Sequence, residues 1–337
     1  MRPWGEEQNI SRQRPIWLIS RGFEERYGMK VLITGGAGFI GSHLAAHLRA
    51  AGDEPVALDN LSVGRRENLP PEVKLIVADV LDASLRDTVA AGQFDAIVHL
   101  AGQTMVNASV EDPSFDARQN VLGTIQVLEA ARQGGVRRII FASTAAAYGD
   151  VRESELPIGE SRALAPLSFY GLSKVTAEGY LALYQRLFGL DYVVLRFANV
   201  YGERQGDGGE GGVISIFARA AAKGEPLTIF GDGEQTRDFV YAGDIAAGIR
   251  AALLTSSPNA AYNLSTESQT SLRTLVELLA EAAGRAIVPQ YGPERPGDIY
   301  KSSLANEQAK RYLGWQPEVS LAEGLRRTYG YFKGQVP

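Results

Sequence analysis

The sequence predicts a doubly wound α/β fold, a parallel sheet with helices on both faces. Two observations carry that expectation. From Met29 onward, short unbroken apolar runs alternate with helix-length amphipathic segments, the pattern of strands buried on both faces. The first of these runs ends in a glycine-rich turn that opens straight into a helical period.

The expected strands are "KVLITG" (30–35), "EPVALD" (54–59), "VKLIVAD" (73–79), "DAIVHLAG" (95–102), "RRIIFAST" (137–144) and "YVVLRFA" (192–198). Helices are expected between them at 40–51, 82–91, 117–133 and 171–188. After Asn199 the rhythm changes. A glycine-rich loop, "GERQGDGGEGG" (202–212), precedes helices at 213–223 and 243–254, and further helices are expected near 271–283, 303–313 and 320–332. There is no linker and no repeat. The division that follows is a nucleotide-binding domain over 29–198, rejoined by 238–260, with a smaller interleaved domain from 199–237 and 261–333. Residues 1–28 lack a strong period and are expected to lie outside the core.

Composition excludes several classes of function. A net charge of −5 gives no general attraction to nucleic acid or to an acidic membrane. No apolar run approaches the roughly 20 residues that span a bilayer. The chain has no cysteine, so disulfides and thiolate chemistry are excluded. Its three histidines leave little for a metal site, and none is expected: His43 and His47 share a helix face, but no Glu follows His43, so they read as packing residues. A soluble cytoplasmic protein is the expectation.

"ITGGAGFIGSHL" (33–44) follows a strand and opens a helix. Gly35, Gly38 and Gly41 suit a tight turn, close phosphate approach and close helix–strand packing, with Phe39 and Ile40 in the first helical turn. The helix N-terminus offers amides to a pyrophosphate. Asp59 ends the second strand, followed by Asn60. A carboxylate there accepts ribose hydroxyls and repels a 2′-phosphate, which favours NAD over NADP.

"SFYGLSK" (168–174) places Tyr170 and Lys174 four residues apart, on one helix face. Alone, such a pair reads as an ordinary solvated tyrosine–lysine contact.

Ten motifs then coincide in order: "TGGAGFIGSH", "LDNLSVGRREN", "AD" at 78–79, "HLAGQ", "NVLGT", "FASTAAAYG", "YGLSK", "RFANVYG", "GDGEQTRDFVY" and "RPGD". On these the chain from Met29 to about Lys333 resembles the extended short-chain dehydrogenase/reductases, specifically the nucleotide-sugar epimerases related to UDP-glucose 4-epimerase. The resemblance implies a Rossmann sheet holding NAD, and C4 epimerisation of a UDP-hexose through a 4-keto intermediate. It implies that Asp79 and Val80 flank the adenine, and that Ala101, Gly102 and Asn120 line the ribose and nicotinamide. It places Asn199, Arg237 and Arg295 at the substrate's phosphates and Asp298 on its ribose. Tyr170 becomes the base at the sugar's 4-hydroxyl. Lys174 stabilises its phenolate and holds the nicotinamide ribose, and Thr144 bonds the same hydroxyl. A tyrosine at its reference pKa of about 10 is a poor base, so the nearby cations are needed to lower it.

Sister enzymes share the first half-reaction. The 4,6-dehydratases carry an acid pair after the threonine, where this chain has Ala145 and Ala146. Uronate epimerases and decarboxylases must hold a sugar carboxylate, and 103–117 contains neither Lys nor Arg. Enzymes of dTDP- or GDP-sugars stay open as alternatives, as does a non-catalytic NAD-binding relative. The resemblance makes Ser302 the gatekeeper beside the sugar's 2-substituent, where a small residue admits N-acetylhexosamines. It also implies a homodimer packed through 113–133 and 171–188.

Overall fold

The computed structural model describes residues 28–206, 212–294 and 299–336 of the 337-residue chain. The expected 1–28 extension therefore lies, except for Gly28, outside the described residues, as do Arg295 and Asp298 and the middle of the glycine-rich loop at 207–211.

The strands in chain order are β1 (Lys30–Thr34), β2 (Glu54–Asp59), β3 (Lys74–Val77), β4 (Ala96–His99), β5 (Arg138–Thr144), β6 (Asp191–Phe197), β7 (Asn199–Tyr201), β8 (Thr228–Phe230), β9 (Thr236–Arg237), β10 (Phe239–Tyr241), β11 (Ala260–Leu264), β12 (Thr270–Ser271) and β13 (Gln290–Gly292). The α-helices are α1 (Phe39–Ala50), α2 (Leu85–Gly92), α3 (Val106–Glu111), α4 (Pro113–Ala117), α5 (Gly123–Gln133), α6 (Phe169–Phe188), α7 (Val213–Lys223), α8 (Ala242–Leu254), α9 (Leu272–Ala283) and α10 (Leu321–Lys333).

Seven strands form one sheet in the order β3-β2-β1-β4-β5-β6-β11, every pair parallel. Because strand side chains alternate faces, each apolar run feeds two cores. Val31, Ile33, Ala96, Val98 and Ile140 join Leu44 and Leu48 of α1 and Ile245 and Ile249 of α8. Leu32, Ile97, Ile139 and Phe141 face the other way, onto Val89 of α2, Val127 and Leu128 of α5, and Leu181 of α6. This two-sided burial is why the runs are continuous rather than alternating. A Leu32→Ala or Ile97→Ala truncation here costs about 2–5 kcal/mol.

Three corrections to the sequence reading have local causes. The helix expected from 117 begins at Pro113, because Asp112 accepts a hydrogen bond from the Phe115 amide and Pro113 fits the first helical position. Arg118–Leu122 then forms a wide π turn, so 113–133 runs as helix, π turn and helix. The helix expected near 303–313 is only the turn Ala309–Leu313 with its lead-in. Leu304 instead bridges Ile158 in parallel, with the Ile158 amide on Ser303 O and the Leu304 amide on Asp238 Oδ2. Finally, the segment returning to the sheet extends past the boundary expected at 260, since all of β11 pairs with β6.

Smaller pairings, β7 with β10, β8 with β13 and β9 with β12, build a second lobe. Its own core joins Phe217 of α7, Leu275 of α9 and Leu325 of α10. Among the described residues no helix is long and apolar enough to cross a membrane.

Candidate active site

A cavity of about 600 Å³ opens at the carboxyl ends of the main-sheet strands, where the strand order reverses between β1 and β4. Gly35, Gly38, Phe39, Ile40 and Gly41 line one end of it. Gly35 sits at φ +69°, and a Cβ there would stand 2.8 Å from the Ala101 amide nitrogen. At Gly41 a Cβ would stand 2.2 Å from Gly35 O, so no other residue lets α1 start this close to β1. Gly38 caps α1 without a side chain, and the first turn holds no acidic residue. The amides of that turn are therefore kept for an anion.

Asp59 lines the same cavity from the end of β2 and is nearly buried. Its Oδ2 accepts the Ala37 amide at 2.9 Å and its Oδ1 the Leu61 amide at 2.8 Å, which fixes the carboxylate across the glycine turn. Asn60 donates to Asp79 Oδ2 at 2.8 Å, tying the β2 and β3 ends together beside Val80.

At the far end lie Thr144, Tyr170 and Lys174. Ser168 caps α6 by accepting the Gly171 amide at 3.0 Å, which puts Tyr170 in the first turn and Lys174 one turn later. Gly171 lets α6 close on the end of β5, for a Cβ there would lie 2.8 Å from Ala146 O. Thr144 Oγ1 accepts the Ala146 amide at 3.1 Å. Lys174 Nζ is 6.0 Å from the Tyr170 ring centroid and 5.0 Å from that of Phe141. Burial pushes this ammonium down to about 8, against the opposing pull of Asp116. Tyr148, four residues after Thr144, is fully buried and spends its hydroxyl on Asn263 Oδ1 at 2.7 Å. Of the two tyrosines, Tyr170 is the one that lines the cavity.

His99, at the end of β4, is completely enclosed behind this site. Thr124 donates to Asn120 O, so it accepts from His99 Nε2 at 3.1 Å, and Nδ1 accepts from Thr34 Oγ1 at 2.7 Å. Burial, and secondarily the Lys174 charge, lowers His99 to about 3, so it is a neutral spacer.

The comparisons with known proteins agree with this geometry. The family model described as "NAD dependent epimerase/dehydratase family" matches residues 31–265. The chain belongs to the NAD-dependent epimerase/dehydratase family.

A UDP-glucose 4-epimerase of Mycolicibacterium smegmatis is 41% identical over 91% of this chain and 99% of its own. The UDP-glucose 4-epimerase of Thermotoga maritima, solved with UDP-glucose, is 40% identical with a TM-score of 0.87, over 91% of this chain and 99% of the other. That of Thermus thermophilus, solved with NAD, is 42% identical with a TM-score of 0.85, over 91% and 100%. NAD, the cofactor of the family, fits the residues present: a cradle closed to any Cβ, a helix end without a side-chain cap, and a carboxylate at the ribose position.

The positions expected to hold the cofactor, from Gly35 through Asp79, Val80, Ala101 and Gly102 to Lys174, gather on the one cavity. Asn120 does not. It is buried beneath the loop, where its Oδ1 accepts the Gln103 amide at 2.9 Å and its Nδ2 donates to Gln103 O, Asp116 and Ser173. Its hydrogen bonds support the Gly102–Gln103 loop. Asn199, Arg237 and Ser302 also lie off the cavity lining. Backbone pairing still brings them into one neighbourhood: β7 pairs with β10 just beyond Arg237, and the Thr236 amide bonds Tyr300 O. Among the described residues no acid or histidine cluster could hold a metal. Sequence reasoning missed Asp116, Gln103 and Phe141. The i, i+4 spacing of Asp116 and Asn120 was the available signal for the first.

Proposed function

We propose that this chain interconverts UDP-galactose and UDP-glucose by epimerisation at C4, through a 4-keto sugar, with NAD retained between turnovers. The observation that carries the reading is the meeting of Thr144, Tyr170 and Lys174 on the cavity that Asp59 and the glycine turn also line. Bound NAD supplies a reversible hydride acceptor. Tyr170 Oη takes the 4-hydroxyl proton as C4 is oxidised, and the Lys174 ammonium favours the phenolate that can do so. Thr144 hydrogen-bonds the same hydroxyl and orients it. The proton then returns from Tyr170 after the keto sugar has turned its other face. That rotation requires a loose grip on the sugar, and Lys174 is the only cation lining the cavity among the described residues. A single cation already engaged with Tyr170 also weighs against a uronate substrate, and Ala145 and Ala146 weigh against dehydration.

Asn199, Arg237, Arg295 and Asp298 complete the reading as the UDP contacts, with Ser302 leaving room for an N-acetyl group. A homodimer is part of the same proposal. Leu122, Leu172, Leu183 and Leu187 are exposed on 113–133 and α6, the two segments expected to pair. A cytoplasmic location goes with it.

The test is an NMR assay of purified protein with UDP-galactose and no added NAD. Conversion to UDP-glucose is expected, and Tyr170→Phe is expected to abolish it. No conversion even with NAD supplied overturns the reading. In the same assay UDP-GalNAc is expected to turn over, and its failure beside active UDP-galactose removes the role given to Ser302.

A further inference from the structure

None of the steps above uses Asp116, although its carboxylate is buried in α4 with the residue 1% exposed. Oδ1 accepts hydrogen bonds from Gln103 Nε2 at 2.8 Å and from Asn120 Nδ2 at 3.0 Å. Oδ2 is also buried and has no hydrogen-bond partner among the described residues. An oxygen in that condition is costly unless an opposite charge stands near it.

The opposite charge is Lys174. A Cβ built on Gly102 would lie 2.5 Å from Asn120 Oδ1 and 3.5 Å from Lys174 Nζ, so the carboxamide that Asp116 holds and the ammonium flank one point of the loop. The titratable groups facing Lys174 are Tyr170 from its own helix, His99 from β4 and Asp116 from α4, with the Phe141 ring from β5 as its apolar wall. His99 is held neutral. Among the described residues, Asp116 is therefore the one carboxylate acting on Lys174 before Tyr170 ionises.

We propose that Asp116 is a positioning residue of the active site: from behind the Gly102–Gln103 loop it supplies the counter-charge that keeps Lys174 an ammonium, and through Asn120 it fixes the loop against which Lys174 lies. It touches neither substrate nor cofactor. The epimerase reading gives this arrangement its purpose, and the proposal rests on it. Without Asp116, burial next to Phe141 and His99 drives Lys174 toward the neutral amine, and the charge that favours the Tyr170 phenolate is lost at working pH.

Asp116→Asn isolates the charge, since its carbonyl oxygen can still accept from Gln103 and Asn120. Asp116→Glu keeps the charge and disturbs the packing. Asp116→Ser, with room for a water, is a second neutral variant in case the asparagine variant fails to fold. The chain holds seven lysines, so ¹³Cε-lysine NMR separates a titration near 8 from exposed side chains near the reference of about 10.4, with Lys174→Met assigning the peak. In the neutral variants the Lys174 transition is expected to fall by about one pH unit. The alkaline limb of kcat with UDP-galactose is expected to move down with it at little change in KM, while Asp116→Glu keeps both near wild type. An unmoved Lys174 transition in the neutral variants overturns the proposal, as does a kcat loss shared by all variants with the limb in place. The NMR titration needs no turnover, so it decides the role of Asp116 even if the wild-type protein leaves UDP-galactose unchanged.

Discussion

Helix α6 carries two charges one turn apart, Lys174 buried and Glu178 partly so, and they live under opposite conditions. Glu178 is saturated: both oxygens accept from Arg196, at 3.1 and 2.6 Å, and Oε1 also takes the Ser143 hydroxyl. Arg196 in turn donates to the Tyr148 hydroxyl, which reaches Asn263, so the network spans β5, α6, β6 and β11. Among the described residues no carboxylate lies at bonding distance from Lys174. It lies over Phe141 with Asp116 acting on it from behind the loop, and burial lowers it to about 8. A satisfied buried pair holds elements in place, whereas an undersatisfied buried cation is ready to interact with something that arrives later. One helix thus provides an anchor and, one turn nearer its N-terminus, a reactive group.

The comparison can be broken at either end. The largest effect is expected from Lys174→Met, with kcat for UDP-galactose falling roughly 10²–10⁴-fold, the range for general acid–base groups. Thermal unfolding should show no loss, because the substitution removes a poorly compensated buried charge. A variant that unfolds early would place Lys174 with the anchors instead.

Arg196→Met should do the reverse. It strands the Glu178 carboxylate, at a cost of about 3–5 kcal/mol in denaturant unfolding. Adding Glu178→Leu should recover most of that loss, since paired apolar replacements of buried ions are often neutral. A double variant no better than the single would mean that the network is irreplaceable packing.

The effect that is smallest at neutral pH sharpens the background against which both charges act. His99 is held to about 3 in the folded chain, against an unfolded value near 6.5. The unfolded chain therefore binds the proton first. Stability from this group is complete above pH 6.5 and falls by roughly 1.4 kcal/mol per unit as pH drops toward 3. His99→Asn should flatten that part of the acid unfolding curve, and an unchanged slope would assign it to other groups.

Most of the sheet was legible because burial on both faces leaves a continuous apolar run, a signal that needs no tertiary knowledge. The helix expected at 303–313 failed for the opposite reason. Its first half is claimed by Ile158 and Asp238, distant in sequence, and such contacts override local periodicity. The cavity's glycines, Asp59, Tyr170 and Lys174 were legible because each spacing carries its own chemistry. The bonds of Asn120 to Gln103, Asp116 and Ser173 were not legible, since a residue number does not say which way a side chain turns when its helix holds a wide turn. Asp116 went unseen because its importance lies in the oxygen that lacks a bond, and no sequence pattern records a missing partner.

The π turn at Arg118–Leu122 has a geometric consequence of its own. Residues four apart drift by about 40° per step around an ordinary α-helix. A turn wider than that winds them back, so Asp116, Asn120 and Thr124 stay aligned as one buried polar stripe. The stripe serves three clients in succession: the Lys174 ammonium, the loop backbone and the neutral imidazole. Wound as a regular α-helix, the same eight residues would carry Thr124 about 80° away from Asp116. The wide turn thus absorbs one surplus residue and keeps both ends of the stripe in phase.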